Sequence, residues 1–175
     1  MLARIGAGDR QALAELYQRH SRSLFQYLLR LTPDQGLAEE ILQDTFVAVW
    51  HSAARFAGRS AARTWLIGIA RRQAHNRLRR HEPDRANAAE LASLAAPDPG
   101  PENAVLLRAT RDELIAAIGR LSFVHREALA LAIDQGLTSE EIAGVLHIPV
   151  GTAKSRLRDA KRALRALLRS EEEVP

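Results

Sequence analysis

The chain contains no cysteine. That excludes a disulfide framework, a thiolate metal site and a cysteine nucleophile, and it suits a reducing compartment. Aromatic residues are scarce, at 5%. No uncharged apolar run approaches the roughly 20 residues of a membrane span, and the N-terminus MLARIGAGDRQ has no apolar core of a leader. Turn dipeptides between alternating β-branched runs are also missing, whereas Ala, Leu and Arg dominate. Both features predict an all-α protein. The most local absence is of one charge sign. From Thr45 to His81 there is not a single carboxylate, yet there are eight arginines.

Nor is there a pattern that carries catalysis. The histidines, at positions 20, 51, 75, 81, 125 and 147, show no H-x₃-H spacing, and neither a phosphate-binding glycine loop nor G-x-S-x-G occurs. No metal, no cofactor and no catalytic residue are expected; chemistry belongs to a partner. The formal net charge of +4 and the clustering of the arginines point to a polyanion.

Apolar spacing predicts the helices. Asp9 caps a first long helix carrying Leu13, Leu16, Tyr17, Leu24, Leu28 and Leu31, with Tyr17, Phe25 and Tyr27 read as core. Thr32-Pro33-Asp34 breaks it, because proline disfavours helix in the residue before it. The next helix, LAEEILQDTFVAVW, buries Leu37, Ile41, Leu42, Thr45, Phe46 and Val49 and leaves an acidic face of Asp34, Glu39, Glu40 and Asp44. A third, RTWLIGIARRQAHNRLRR, has the stripe Trp65, Leu66, Ile69, Ala70, Ala74 and Leu78, and turns Arg71, Arg72, His75, Asn76 and Arg79 the other way. So many uncompensated charges are hard to explain by fold stability. The loop before it, FAGRSAA, is a flexible small-residue connection.

Composition then changes. Residues 82–103 are rich in Ala, Pro and acid, and PDPGP cannot be helix interior, so this reads as an interdomain linker able to extend to roughly 75 Å. The expected architecture is two small helical domains, 1–81 and 104–175, joined by that flexible linker and behaving as independent folds. The second opens with a helix from about Ala104 to Leu121 that buries Val105, Leu114, Ile115, Ile118 and Leu121. Within it, Thr138 to Leu164 reads as two short helices and a tight turn. Thr138 and Glu141 form a capping box, Ile142, Ala143, Val145 and Leu146 give one apolar face, and Pro149 suits the first position of the following helix. That helix keeps Val150, Ala153, Leu157, Ala160 and Leu164 inside and turns Thr152, Lys154, Ser155, Arg156, Arg158, Lys161 and Arg162 outward. This is the outline of a helix-turn-helix whose second helix enters a DNA major groove. An ordinary surface hairpin with a solvated basic face fits the periodicity equally.

The run EEIAGVLHIPVGTAKSRLRDAKRAL resembles the DNA-binding region of the extracytoplasmic-function (ECF) sigma factors of bacterial RNA polymerase, whose pattern is close to E-I-A-x-x-L-x-I-P-x-G-T-x-K-S-R-L. His147 replaces the usual glycine of the turn, a conformation His tolerates better than most residues, and Asp159 stands where a basic residue is usual. LAEEILQDTFVAVW and RTWLIGIARRQAHNRLRR resemble two further stretches of the family, and LSFVHREALALAIDQGLTSEEIA another, with Ser122 in place of proline. The resemblance covers both domains in order, and no extra C-terminal domain is expected.

It implies a protein that binds core RNA polymerase and promoter DNA in the cytoplasm, directs transcription initiation, is not an enzyme, and has an anti-sigma factor as a plausible further partner. Carried over by position, Glu40, Gln43, Asp44 and Trp50 would face polymerase. Arg59, Arg63, Arg71, Arg72, His75, Asn76 and Arg79 would face the minus-ten element. Thr152, Lys154, Ser155, Arg156, Arg158 and Arg162 would face the minus-thirty-five element. The competing reading is a dimeric helix-turn-helix regulator with an N-terminal dimerisation or sensing domain, which leaves the eight arginines unexplained.

Overall fold

A computed structural model of the chain describes residues 1–32, 34–58, 60–81 and 111–172. Among these the regular secondary structure is all helical. The helices are α1 (Leu2–Gly6), α2 (Arg10–Leu31), α3 (Gln35–Ser52), α4 (Ala62–His81), α5 (Arg111–Arg120), α6 (Phe123–Ile133), α7 (Ser139–Leu146) and α8 (Val150–Glu172), with a 3-10 turn at Ala53–Arg55 after α3. The predicted linker, Arg59 and Val105 lie outside the described residues.

Local chemistry sets the ends of these helices. The Asp9 carboxylate accepts the Ala12 N–H at 3.0 Å and the Arg4 guanidinium at 2.8 Å. The Ala12 bond, more than the arginine, holds its carboxyl below the usual range. Asp34 caps α3 through the Gly36 N–H. Thr138 and Glu141 close the predicted capping box at 3.2 and 2.9 Å. His147 takes φ 55° and ψ 45°, the left-handed conformation expected of the turn. Pro149 sits one residue earlier than expected: its carbonyl accepts the Ala153 N–H, so it caps α8 rather than beginning it. At the other end of the chain, α1 lies so close to the 3-10 turn that a Cβ on Gly6 would meet the Ala54 backbone at 2.8 Å.

The predicted stripes of α2, α3 and α4 are mostly buried, with three corrections in the chain as a whole. Tyr17 is 44% exposed, its ring tilted on Phe46 at 4.8 Å, so it covers the core rather than entering it. Ile115 is 51% exposed, because α5 packs on α8 along Leu114, Ala117, Ile118 and Leu121, a stripe of i, i+3, i+4 and i+7 that omits it. Val150, read as an inner residue, is exposed in the first turn of α8.

The two halves, expected to behave as independent folds, are in direct contact in the structure. One continuous apolar cluster joins Leu16, Leu24, Leu28, Leu66 and Ile67 of the first half to Ala130, Leu131, Leu137 and Ile142 of the second. Helix α2 packs on α6, and α4 on α7. A smaller cluster binds α5, α6 and the distal part of α8. Ile67, outside the predicted stripe of α4, is fully buried. The two halves therefore share a core.

His147 carries a Cβ in a conformation that disfavours one. His147→Gly should raise stability by roughly 1 kcal/mol, read as a higher thermal midpoint with unchanged helix content by circular dichroism.

Candidate nucleic-acid interface

Helices α7 and α8 form the predicted helix-turn-helix. Ala153, Ala160, Leu164 and Leu168 are buried along α8, which fixes its rotation and leaves Lys154 and Arg158 exposed and Thr152, Ser155, Arg156 and Arg162 half-buried. Ser155 donates its hydroxyl to the Thr152 carbonyl at 2.9 Å, which holds it near the helix surface. Lys154 approaches Glu140 at 3.5 Å and Arg158 approaches Asp159 at 3.6 Å, with both pairs solvated. Contacts of that kind are weak and give way to a phosphate. Glu140 is held below the usual carboxyl range, first by a backbone N–H and then by Lys154.

The α4 surface departs from expectation. Arg72, Asn76 and Arg79 are exposed, as a nucleic-acid face requires. Arg71 and His75 are instead turned onto one carboxylate of the second half. Arg71 Nε lies 3.0 Å from Glu127 Oε1 and its Nη2 3.5 Å from Oε2, while His75 Nε2 lies 2.8 Å from Oε1. The His75 ring also meets Phe123 edge-on at 5.1 Å. Arg63 donates to the Gln135 carbonyl, and the Gln135 side-chain amide donates to the Ser23 carbonyl at 2.7 Å. Arg30 and Asp134 form a further pair at 2.6 Å.

Glu127 is 3% and Gln135 1% exposed. A buried charge requires this kind of compensation. Beneath the same seam the Tyr27 phenol is fully buried with no hydrogen-bond partner among the described residues, and burial pushes it well above its usual range, with Glu127 adding to the effect.

The acidic face of α3 is also partly engaged. Arg77 of α4 reaches Asp44 at 2.7 and 3.0 Å and Glu40 at 3.3 Å. Gln43 is exposed, and Trp50 is half-buried against the core. Between α2 and α3 lies an open cleft of about 360 Å³ lined by Tyr17, Arg22, Phe25, Glu39, Leu42 and Gln43. The arginines read as uncompensated are thus compensated in part from outside their own segment: Arg77 by carboxylates of α3 and Arg71 by Glu127 of the C-terminal half, while Arg63 meets a neutral carbonyl there.

Glu127, Asp134 and Gln135 are the residues that sequence reasoning missed. A signal for two of them exists. Glu127, Ala130, Leu131 and Asp134 follow the i, i+3, i+4, i+7 spacing of one face of α6, so the apolar pair at its centre carries the flanking acids into the seam. Among the described residues, no group of three or more His, Asp or Glu side chains could hold a metal ion, and no helix is long and apolar enough to cross a membrane.

Comparison with known proteins places both halves. Residues 16–83 match sigma-70 region 2 and residues 111–164 match sigma-70 region 4. The chain is 32% identical over 171 residues to the ECF RNA polymerase sigma factor SigK of Mycobacterium sp. (strain JLS), covering 96% of this chain and 89% of that protein. It is 33% identical over 171 residues to the RNA polymerase sigma factor NccH of Alcaligenes xylosoxydans xylosoxydans, covering 95% and 92%. Among solved structures, CnrH in complex with the cytosolic domain of CnrY superposes with a TM-score of 0.71 at 26% identity, over 97% of this chain and 95% of that one. The sigma factor RpoE in complex with the anti-sigma factor NepR, from Bartonella quintana, shares the fold at a TM-score of 0.71 and 23% identity, over 91% and 98%.

Two arginines adjacent in sequence should behave differently. Arg71→Ala leaves the buried Glu127 short of a partner and should cost about 1.5–3 kcal/mol, whereas Arg72→Ala, on the exposed side, should change stability by less than about 0.5 kcal/mol. Urea denaturation of the two variants checks this.

Proposed function

The chain belongs to the ECF sigma factors of RNA polymerase, and from that premise we propose how its two halves divide the work. The protein binds core polymerase and promoter DNA and directs promoter-specific initiation. It acts in the cytoplasm, where polymerase does, and contributes recognition while polymerase contributes the chemistry. The N-terminal domain, 1–81, would bind polymerase and the minus-ten element. The C-terminal domain, 104–175, would read the minus-thirty-five element, with 82–103 as the connection. An anti-sigma protein completes the set of partners.

The observation that carries this reading is the helix-turn-helix of α7 and α8, with its basic face outward, inside a chain whose two halves match two sigma regions in order. A dimeric regulator accounts for the first feature and not for the second. In the groove, Thr152, Lys154, Ser155, Arg156 and Arg158 read or position, and Arg162, further from the N-terminal end of α8, meets phosphate. At the minus-ten element, Arg72, Asn76 and Arg79 are available as they stand. Arg63, Arg71 and His75 must first leave their partners, and Arg59 is assigned by sequence alone. Polymerase would meet the α3 surface around Glu40, Gln43 and Asp44, with Trp50 supporting it from the core.

Run-off transcription with core polymerase on a promoter library tests the reading. Defined start sites should appear only when both proteins are present, and their absence, with no co-elution of the two, would overturn it. Asp44→Lys should weaken core binding and leave promoter duplex binding by α8 unchanged. Arg77→Ala serves as the control, because it frees Asp44 without removing it. Equal losses in both variants would make Asp44 a brace between α3 and α4 rather than a polymerase contact. On the upstream element, Lys154→Ala should cost about 1–3 kcal/mol and relax one or two positions. Arg162→Ala should weaken all sequences alike and reduce the salt dependence by about one phosphate. Asp159→Arg should tighten binding. The reverse pattern between Lys154 and Arg162 would mean that α8 docks differently.

A further inference from the structure

The first turn of α7 carries two acids with different duties. Glu141 turns back to the Thr138 N–H and closes the capping box. Glu140, beside it, takes no part in that box, and its carboxylate reaches across the turn to the Lys154 ammonium of α8 at 3.5 Å. The two side chains are 64% and 62% exposed, which puts the pair on the open face of the helix-turn-helix and not in its core. The carboxylate is tethered at its own end as well. Its own backbone N–H, then Lys154 and the Thr138 side chain, hold it below the usual carboxyl range, so it is charged at neutral pH. Of the α8 cations assigned to DNA, Lys154 alone, among the described residues, meets a carboxylate of another helix; Arg158 has only that of its chain neighbour Asp159.

An acid on a surface that meets DNA repels phosphate and costs affinity. What it gives in return is selectivity. A lysine ammonium is a flexible point charge that settles on the nearest anion, and on a duplex the nearest anions are phosphates, which carry no sequence information. The first helix of this motif crosses the phosphate backbone, so a carboxylate in its first turn competes there with the phosphates that draw Lys154 aside. The ammonium has three N–H donors, enough to keep Glu140 with one and offer the others to acceptors on a base edge. We propose that Glu140 is a positioning residue for sequence reading, holding the Lys154 ammonium over the groove and away from the backbone. Duplexes that lack the right bases are then penalised more than the promoter element. This rests on the reading of Lys154 as a base contact of the minus-thirty-five element given above. Because the pair is solvated, its effect is a factor of a few.

The test uses the full chain and a library of short duplexes randomised over the upstream element, sequenced before and after selection on the protein. Anisotropy of a fluorescein-labelled duplex of scrambled sequence sets the absolute scale. Glu140→Gln, which keeps the shape and removes the charge, should relax the same positions that Lys154→Ala relaxes. It should tighten the scrambled duplex about threefold, the scale of an exposed ion pair, and steepen its salt dependence by about one phosphate. The enriched sequences should change by less than about twofold. In the Lys154→Ala background, Glu140→Gln should relax no position further, because the residue it positions is gone. Equal tightening of enriched and scrambled duplexes would make Glu140 a plain repeller of phosphate and overturn the proposal. Weaker binding of the enriched sequences with a new letter preference would make it a base reader itself, and would overturn the proposal too, as would no change in either measurement. If Lys154→Ala leaves every preference intact, the base-reading assignment of Lys154 fails and the proposal falls with it. If Lys154→Ala relaxes preference and Glu140→Gln does not, the role given to Glu140 alone is wrong.

Discussion

A carboxylate taken out of water must be paired, and in this protein the pairing of Glu127 decides how the halves meet. Its helix is otherwise lined with Ala and Leu, and apolar burial alone would let α6 slide or rotate on its neighbours. The requirement that Arg71 and His75 reach one carboxylate fixes the register, as a polar group inside an apolar seam is able to do. Arg30–Asp134 and Gln135–Ser23 follow from that register, because they lie on the same helix and the turn after it. The apolar contacts supply most of the attraction, and the polar ones supply the address.

The C-terminal half depends on backbone chemistry more than on charge. The capping box at Thr138, the left-handed His147 and the carbonyl of Pro149 together hold α7 and α8 at a set angle within a few residues. Buried alanines at positions 153 and 160 let α8 approach its neighbours closely, which leaves its long basic side chains to solvent. A rigid turn and a tightly seated inner face suit a helix that must present particular side chains to base edges.

Much of this was legible in the sequence. The helices of the first half, the capping box, the αL turn and the outward face of α8 all follow from spacing and cap chemistry, which act over a few residues. What was not legible acts at long range. Arg71 and His75 were assigned outward because their own helix gives them no apolar neighbour, and nothing nearby in sequence announces a partner 52 or 56 residues away. Arg77 was read as uncompensated for the same reason, although its acids lie on the preceding helix. Ile67 fell outside the stripe because periodicity assumes one buried face, and α4 is covered by α2 and α3 and also by α7. Ile115 erred the other way, since among the described residues α5 packs on α8 along a stripe that omits it.

The order in which the chain is made gives the seam one more property. Arg63, Arg71 and His75 all precede Glu127, by at least 52 residues, and Ser23 precedes Gln135 by 112. During synthesis Arg63, Arg71 and His75 are therefore made well before the residues of the second half that they meet in the finished protein. For that interval the nascent arginine face is chemically a different surface from that of the finished protein, with the guanidinium of Arg71 and the imidazole of His75 still without the carboxylate they later share.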